Sequence, residues 1–456
     1  MTGRLRRISD WLERRPWGRP VQRIFHNAGK LIGARAVAGA VSLIYLAVAT
    51  RSLGPAGFGV LTLVHLYALT VGGVIVVPGW HAVVRYGAIS LANDRREDLF
   101  KLLRFTTAVE VATGVLAMAA VAGGAGLAAH LLSWPPAVVP LATLYSITVI
   151  GNLRSTPTGA LYLLGRFDLI AASQALGPLI RLAGSLVAAW MHAGVTGFLI
   201  AWLVAGMSEG VLQWSFGVYA LHRAKLLTGL VGSPRGATAA HPGLWAFLMA
   251  TNFDLTLSDL GARVTPLIVG WQLGPAAAGL YQLALRAGMV LAQPAQIVGQ
   301  AALPELSKIV AAGDTRALAR SVRHASLLAG LAGLPIWLVF VAFGRIGLGL
   351  LGGPGFQAAY VVLLLVGGAR LITLAGASLG PAMLALGRPG RMLQFNALAT
   401  LGSLPVLVGL IRVMGLAGAG VHAVIQALVL VGAMAWFVLA DLARRRGALP
   451  EPAPRP

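Results

Sequence analysis

The stretch at residues 245–271, WAFLMATNFDLTLSDLGARVTPLIVGW, decides how the rest of the chain is interpreted. As a single α-helix it would be about 40 Å long, because each residue adds about 1.5 Å, and this exceeds the roughly 30 Å hydrocarbon core of a bilayer. The tryptophans at its two ends, Trp245 and Trp271, are typical of residues that anchor a helix at the membrane interfaces. The stretch therefore predicts a tilted transmembrane helix.

This predicted helix is not uniformly apolar, because polar residues recur along it at helical spacing. One face carries Asn252, Thr256, Asp259 and Arg263, and an adjoining face carries Asp254 and Ser258. A charged residue at the centre of a bilayer costs about 2.5–3.5 kcal/mol on insertion scales, so this face is expected to meet water or buried partners. It is either a packing ion pair between Asp259 and Arg263 or the wall of a solvated cavity, and we favour the cavity wall.

The composition indicates a membrane protein throughout. Of the 456 residues, 57% are hydrophobic and 11% are charged, which is too apolar for a soluble protein. The chain contains no cysteine, so disulfides, thiol catalysis and cysteine-based metal sites are excluded. The formal net charge of +22 does not indicate nucleic-acid binding, because the basic residues lie in short links between apolar runs.

Twelve apolar runs predict twelve membrane spans. They lie near residues 31–50, 57–79, 105–129, 137–162, 169–191, 196–221, 245–271, 277–303, 325–349, 358–385, 393–414 and 417–440. The resulting segments are a basic cytoplasmic N-terminal segment at 1–30, an N-terminal six-helix bundle at 31–221, a cytoplasmic linker at 222–243, a C-terminal six-helix bundle at 244–441 and a cytoplasmic tail at 442–456. The segment at 1–30 is either a helix lying on the anionic leaflet or a basic tail that sets topology.

The distribution of basic residues predicts the orientation of these spans. With the N-terminus inside, 28 of the 36 Lys and Arg residues fall in cytoplasmic segments, and three (Arg51, Arg345 and Arg412) fall in outside links. An excess of Lys and Arg marks the cytoplasmic side of a membrane protein. Both termini are therefore expected in the cytoplasm, and the first apolar run is long enough to stay as a span rather than serve as a cleaved signal peptide.

The second half of the chain repeats features of the first half at an offset of 220–222 residues. The matched features are LGPA at 53–56 and 273–276, Asp94 and Asp314, LGR at 164–166 and 386–388, and GxxG at 194–197 and 415–418. Six spans in each copy is an even number, so both copies enter the membrane from the same side, which predicts a parallel repeat. Asp94 and Asp314 are each expected to cap the helix that follows.

Several of these motifs resemble those of a known family. They are LGPAGFGVL at 53–61, ANDRREDLFKLL at 92–103, LPELSKI at 303–309, LGRF at 164–167 and LGRP at 386–389. Together they resemble Wzx-type polysaccharide and oligosaccharide flippases of the multidrug/oligosaccharidyl-lipid/polysaccharide exporter superfamily. The resemblance covers about residues 30–440. Some members of this group carry fourteen spans, whereas this chain carries twelve.

The resemblance implies an all-α polytopic membrane protein, with two six-helix bundles arranged as a V around a central cavity. It also implies export of polyprenyl-pyrophosphate-linked oligosaccharide units across the bacterial cytoplasmic (inner) membrane by alternating access, with no enzymatic reaction, cofactor or metal. The expected partners are the lipid-linked substrate, membrane lipids and polysaccharide polymerase or other assembly proteins. The protein itself is expected to be a monomer that binds no nucleic acid.

Passage of an anionic headgroup requires fixed cations within the membrane, and arginine suits phosphate because its guanidinium donates two parallel hydrogen bonds. Five arginines lie within the predicted spans: Arg35, Arg181, Arg263, Arg286 and Arg370. Arg263 and Arg286 are the predicted headgroup contacts. Arg35 either contacts the headgroup as well or extends its side chain to the cytoplasmic surface. Arg181 and Arg370 either line the cavity or pair with acids.

Neutral polar side chains near these arginines are expected to bind sugar hydroxyls. The predicted set is Asn252 and Thr256 in span seven with Gln282 and Gln293 in span eight. Gln282, Arg286 and Gln293 share one face of span eight because they are separated by four and seven residues.

Four acidic residues lie within the predicted spans: Glu110, Glu209, Asp254 and Asp259. Glu110, Asp254 and Asp259 are candidates for binding a coupling proton or Na⁺, since acids inside transporters often carry coupling ions. The alternative is that each acid neutralises an arginine, as the spacing of Asp259 and Arg263 suggests.

Three other functions were weighed against the flippase. A multidrug exporter of the same superfamily usually carries cations, which favours an acidic interior rather than five arginines against four acids. A membrane polymerase or ligase needs a large outside segment for its catalytic groups, and every predicted outside link is short. A nucleotide-driven pump needs a Gly-rich phosphate loop followed by Lys-Ser/Thr, and the sequence contains none.

Overall fold

The computed structural model describes residues 18–227, 232–312 and 314–447. Within these ranges the side chains of 18–36, 254, 258, 290, 292–301, 303, 304, 446 and 447 are not described. Every regular element in the described ranges is a helix. The chain is therefore all-α where it is described, as the sequence predicts.

The α-helices are labelled α1 to α16 in chain order. They are α1 Gly18–Ile75, α2 Trp80–Ala92, α3 Arg96–Leu131, α4 Val139–Tyr145, α5 Thr148–Gly151, α6 Ser155–Leu163, α7 Phe167–Trp190, α8 Gly194–Arg223, α9 Ala237–Ala240, α10 Leu244–Ala311, α11 Thr315–Gly352, α12 Tyr360–Ala375, α13 Leu379–Ala385, α14 Pro389–Leu401, α15 Leu404–Met414 and α16 Leu416–Gly447. Two 3₁₀ turns, Pro136–Val138 and Pro354–Ala359, precede α4 and α12.

Nine stretches of the described chain are long and apolar enough to cross a membrane, judged by length and composition. The first of them, Val37–Ile75, contains two helical segments, because α1 is broken at Gly54. Helix α10 is likewise broken at Gly274, which separates the segments predicted as spans seven and eight. With each side of these two breaks counted separately, and with interrupted stretches counted once, the described residues contain twelve helical stretches near the predicted span positions.

The glycines of the sequence repeat have matching backbone conformations. Gly54 has φ 63° and ψ −179°, and Gly274 has φ 81° and ψ 175°. The other glycine pairs agree as well, with φ of 67° and 76° at Gly165 and Gly387 and of 57° and 58° at Gly194 and Gly415. Positive φ is costly for residues that carry a Cβ. The repeat in the sequence is therefore a repeat of turns that require glycine.

The paired loop acids behave differently from each other. Asp314 is the N-cap of α11, and its side chain accepts a hydrogen bond of 2.8 Å from the backbone N–H of Ala317. Asp94 instead adopts a positive φ of 53° and contacts Arg96, the first residue of α3, at 3.4 Å. The predicted cap is thus confirmed for Asp314 and wrong for Asp94, whose backbone turns away before the helix begins.

The fourth and tenth spans are interrupted rather than continuous. Pro136–Leu163 consists of a 3₁₀ turn and the three short helices α4, α5 and α6. Pro354–Ala385 consists of a 3₁₀ turn, α12 and α13. Each interruption leaves backbone N–H and C=O groups that must find hydrogen-bond partners inside the membrane. In the fourth span two of these N–H groups bind the carboxylate of Glu110, as described below.

Contacts divide the described chain into two compact units. The first contains the described residues up to Ser52 together with Tyr67–Leu127 and Pro136–Phe253, and the second contains Leu53–Leu66, Ala128–Pro135 and the described residues from Asp254 onward. This grouping differs from a simple division within the linker, because the first turns of α10 belong to the first unit. The LGPA turn at 53–56 belongs to the second unit.

The linker at 222–243 is packed against the first unit where it is described. Leu226 is buried with Val83 and Leu103, and Ala237 is buried with Leu102. The ring of His241 has its Nε2 3.1 Å from the backbone carbonyl oxygen of Asp98. These contacts make the described linker part of the first unit's core. Residues 1–17 of the predicted N-terminal segment and most of the tail at 442–456 lie outside the described residues.

Candidate functional site

The polar face of the opening stretch contains an ion pair. In the first segment of α10, Arg263 Nη2 lies 2.5 Å from Asp259 Oδ2, one helical turn away. The Asp259 side chain is 60% exposed and that of Arg263 is 29% exposed. Both groups therefore stay partly accessible, and the pair neutralises charge without burying Arg263 completely.

The neighbouring predicted residues are described to different extents. Asn252 and Thr256 are half-buried on the same helix, and each has an interaction partner. Asp254 lies within α10, but its side chain is outside the described residues. The coupling role predicted for Asp254 therefore stays a prediction.

The second segment of α10 carries an exposed arginine. The Nη1 of Arg286 lies 3.9 Å from the sulfur of Met289, and no described carboxylate lies within ion-pair distance of its guanidinium. Gln282, one turn earlier, is only 7% exposed, and its Oε1 has no described hydrogen-bond partner. The side chains of Gln293 and Arg35 are outside the described residues.

A second charged group lies in the first unit, on the interrupted fourth span. Arg154, the N-cap residue of α6, has its Nη1 2.5 Å from Glu209 Oε2 on α8. Arg181 on α7 has its Nη2 3.8 Å from the other carboxylate oxygen of Glu209. A single carboxylate thus serves two guanidinium groups, and this part of the protein interior keeps a net positive charge.

Aromatic rings complete the surroundings of Arg181. Its guanidinium carbon lies 5.6 Å from the ring centre of Tyr45 and 5.3 Å from that of Trp202, within the range of cation–π attraction. Gly177 on α7 allows α8 to approach, because a Cβ at this position would collide with the Glu209 carboxylate. Of the two alternatives left open for Arg181, pairing with an acid is the one observed.

Glu110 on α3 binds the start of a helix. Its two carboxylate oxygens accept hydrogen bonds from the backbone N–H groups of Ser155 at 2.6 Å and Thr156 at 2.9 Å, and from the Thr156 hydroxyl at 2.8 Å. The residue is 1% exposed. A carboxylate placed at the first N–H groups of a helix satisfies donors that the interruption would otherwise leave unpaired. This contact explains how α6 restarts inside the membrane.

Arg370 on α12 presents the opposite situation from Arg181. It lines a cavity within the second unit together with Tyr281 and Gln426. Among the residues whose side chains are described, no carboxylate lies within ion-pair distance of its guanidinium. The sequence left open for both Arg181 and Arg370 whether they line a cavity or pair with an acid. In the structure Arg181 pairs with Glu209, whereas Arg370 lines a cavity.

Among the described charged residues inside the spans, the acids named above all have partners, whereas some arginines do not. Each described acid is engaged: Glu110 by a helix N-terminus, Glu209 by two arginines and Asp259 by Arg263. Arg286 and Arg370 have no described carboxylate partner. The described interior thus has uncommitted positive charge and no uncommitted negative charge. The described residues also contain no group of three or more His, Asp or Glu suited to a metal ion.

The sequence analysis did not include Arg154 among the arginines of the spans, and so did not predict its ion pair with Glu209. The run GNLRSTP at 151–157 carries the available signal. A cluster of turn-forming and polar residues inside a predicted span indicates an interrupted helix whose free backbone groups need partners.

The arrangement of helices is shared with solved membrane proteins. A solved multidrug resistance MATE family transporter of the MOP superfamily, in an inward-facing conformation, matches with a TM-score of 0.74 at 14% identity, covering 90% of this chain and 96% of that chain. Lipid II flippase MurJ in an inward closed conformation matches with a TM-score of 0.70 at 12% identity, covering 91% of this chain and 89% of that one. At such identities the likeness concerns the fold.

Sequence comparison gives the family. Residues 48–353 match the family described as polysaccharide biosynthesis protein. The inner membrane protein YghQ of Escherichia coli strain K12 is 31% identical over 340 residues, which is 74% of this chain and 94% of that protein. The chain belongs to the polysaccharide biosynthesis protein family, which confirms the resemblance found in the sequence. It is a multi-pass membrane protein of this family, and its fold is like those of the solved MurJ and MATE proteins.

Proposed function

We propose that this transporter moves polyprenyl-pyrophosphate-linked oligosaccharides across the bacterial cytoplasmic membrane by alternating access. The lipid tail stays in the bilayer while the charged headgroup and its sugars pass through the protein. The cargo is destined for a surface polysaccharide. No covalent bond of the cargo changes, because its headgroup only moves from the aqueous environment on one side of the membrane to that on the other.

The balance of charge inside the spans carries this proposal. Among the described side chains, Arg286 and Arg370 have no carboxylate partner, whereas every acid is engaged. A cation cargo would meet uncompensated positive charge, which is repulsive at low effective dielectric. A pyrophosphate-linked cargo would supply the missing negative charge, and this favours the flippase over the cation-exporting alternative.

Within this proposal Arg286 and Arg263 contact the pyrophosphate, and Arg35 is the third cation. The sugar hydroxyls are held by neutral side chains at Asn252, Thr256, Gln282 and Gln293. Asp254, Asp259 and Glu110 are the candidates for a coupling ion. Glu110 is the weakest of these three on geometry, because its carboxylate is fully occupied by the N-terminus of α6.

Export in cells tests the proposal. Arg286→Ala and Arg263→Ala are compared with Arg345→Ala, which removes an exposed arginine from a predicted outside link. Both span variants are expected to lose surface polysaccharide and to accumulate lipid-linked oligosaccharide inside the cell, with normal amounts of protein in the membrane. The Arg345→Ala variant is expected to export normally. Normal surface polysaccharide in both span variants would refute the assigned contacts.

A second measurement separates the two transporter classes. Efflux of organic cations is followed in cells that lack their own drug exporters, with and without expression of this protein. We expect no efflux attributable to the protein. Robust cation efflux that is independent of glycan synthesis would overturn the proposal in favour of a multidrug exporter.

The proposal also includes the setting of the protein. Both termini face the cytoplasm, the chain acts as a monomer, and a polysaccharide polymerase or other assembly proteins receive the exported unit. Because the chain contains no cysteine, single cysteines introduced at each terminus can be labelled without background. A membrane-impermeant thiol reagent is expected to label them only after the cells are opened.

A further inference from the structure

A cavity of about 270 Å³ lies inside the second compact unit. Four helical regions contribute its polar lining: α10 on both sides of the Gly274 break, α12, α14 and α16. Its polar lining includes Thr265, Arg370, Thr373 and Gln426. The cavity is a different place from the predicted headgroup contacts Arg263 and Arg286, neither of which lines it.

Arg370 is the one lining residue with a permanent charge, and its guanidinium stays protonated in proteins. Arg370 is partly buried, and no described carboxylate lies close enough to its guanidinium to form an ion pair. A charge held at low dielectric without a partner is costly. The cavity beside Arg370 is therefore suited to an occupant with negative charge.

The hydrogen-bonding groups around Arg370 narrow the chemistry of that occupant. Thr265 and Thr373 donate their hydroxyl protons to the carbonyls of Gly261 and Ala369, each at 2.9 Å. Their oxygens can then only accept hydrogen bonds from a cavity ligand. Gln426 donates through Nε2 to the carbonyl of Ala399 at 3.2 Å, so its amide oxygen is also an acceptor.

A bare halide satisfies a guanidinium but offers no donor to acceptor oxygens. An oxyanion that carries its own hydroxyl group satisfies both, because its charged oxygens accept from Arg370 while its hydroxyl donates to a threonine or glutamine oxygen. Hydrogenphosphate and the carboxylate of an acidic sugar both have this character. The volume is ample for either group.

We propose that the cavity beside Arg370 is a binding site for a hydroxyl-bearing oxyanion. The ligand is either free phosphate or an acidic sugar of the transported glycan. In both cases Arg370 supplies the charge, and Thr265 and Thr373 supply the acceptors. The acidic-sugar alternative rests on the proposed function, whereas a free-phosphate site does not, and in both cases occupancy is measured on purified protein without transport.

Thermal unfolding of the full chain in detergent tests the site, because a ligand that binds the folded state raises the midpoint in a saturable manner. Sodium phosphate, sodium glucuronate and sodium chloride are titrated separately at constant pH and ionic strength. Saturable stabilisation by phosphate or by glucuronate, beyond that given by chloride, is the expected result. A response to phosphate alone identifies the free anion as ligand, and a response to glucuronate identifies the acidic sugar.

Substitutions at the cavity test whether the stabilisation by oxyanions arises from binding beside Arg370. Arg370→Gln is expected to raise the apparent Kd by about tenfold or more, as for loss of a charge-assisted hydrogen bond, and Arg370→Lys is expected to retain part of the affinity. Thr373→Val keeps the shape while removing the acceptor, so it weakens phosphate or glucuronate binding without any effect on chloride. Arg345→Gln is the control and is expected to bind as the unaltered protein does.

Two outcomes would overturn the site. One is equal stabilisation by chloride and by both oxyanions, which would mean a general salt effect. The other is an unchanged oxyanion response in the Arg370→Gln and Thr373→Val variants. If Arg370→Gln does not fold, Thr373→Val alone decides the matter, because the cation is then still present and only the acceptor is missing.

Discussion

Gly59 and Pro275 touch backbone to backbone, because a Cβ at Gly59 would occupy the position of the Pro275 carbonyl oxygen. The same relationship recurs 220 residues later with the partners exchanged, since a Cβ at Gly279 would meet the carbonyl oxygen of Pro55. All four residues belong to the second compact unit. Two copies of one turn therefore pack against each other reciprocally, and each supplies the glycine that the other requires.

Gly59→Ala and Gly279→Ala are expected to lower the stability of the protein. The added methyl group must displace backbone rather than a flexible side chain, and overpacking of this kind costs about 1–3 kcal/mol. The measurement is the midpoint of thermal unfolding in detergent. Gly123→Ala is the control, because that helical glycine has open space around its Cβ position. If Gly59→Ala unfolds no earlier than Gly123→Ala, the packing described here is wrong.

Glu110→Ala is expected to destabilise the first unit. It removes a buried carboxylate that accepts three hydrogen bonds at the start of α6, and hydrogen bonds to charged groups contribute about 1.5–3 kcal/mol each. Glu110→Gln keeps an acceptor oxygen and is expected to lose less. Thermal unfolding is compared with that of Glu97→Gln, which alters an exposed acid on the same helix.

The same Glu110 variants separate the structural role from a coupling role. If Glu110 only supports α6, Glu110→Gln exports glycan with an unchanged dependence on pH. A stable Glu110→Gln protein whose export no longer responds to pH would show that this carboxyl group carries the coupling proton.

Glu209→Gln is expected to be more harmful than removal of either arginine that it binds. The substitution leaves Arg154 and Arg181 without a carboxylate, and breaking a buried ion pair from one side costs about 3–5 kcal/mol. The double variant Glu209→Gln/Arg181→Gln should therefore lose less stability than the sum of the two single variants. Coupling of this kind is measured by a double-mutant cycle of unfolding midpoints.

Glu305→Gln provides the matched control for this cycle. Glu305 pairs with Lys308 at 2.7 Å, but both side chains are about 70% exposed, and exposed pairs contribute little. Strictly additive effects of Glu209→Gln and Arg181→Gln would contradict the shared carboxylate.

Some features of the site could be read from the sequence and others could not. The sequence offered the ion pair of Asp259 with Arg263 as the alternative to the favoured cavity wall, because residues four apart on one helix are neighbours wherever that helix lies. The pairing of Arg181 with Glu209 was left open, as was the unpaired state of Arg370. Both residues are single arginines in apolar runs, and nothing local distinguishes them.

The sequence by itself determined the helices, the two glycine breaks in α1 and α10 and the repeat that relates them. These features are local. Apolar runs set the spans, and each break depends on one residue, because the positive φ of Gly54 and Gly274 disfavours any residue with a Cβ. Only the tertiary structure decided that Glu110 binds the start of α6, 45 residues away, and that Arg370 faces a cavity without an acid. Such pairings depend on which faces of distant helices meet, and that is fixed by packing across the whole unit.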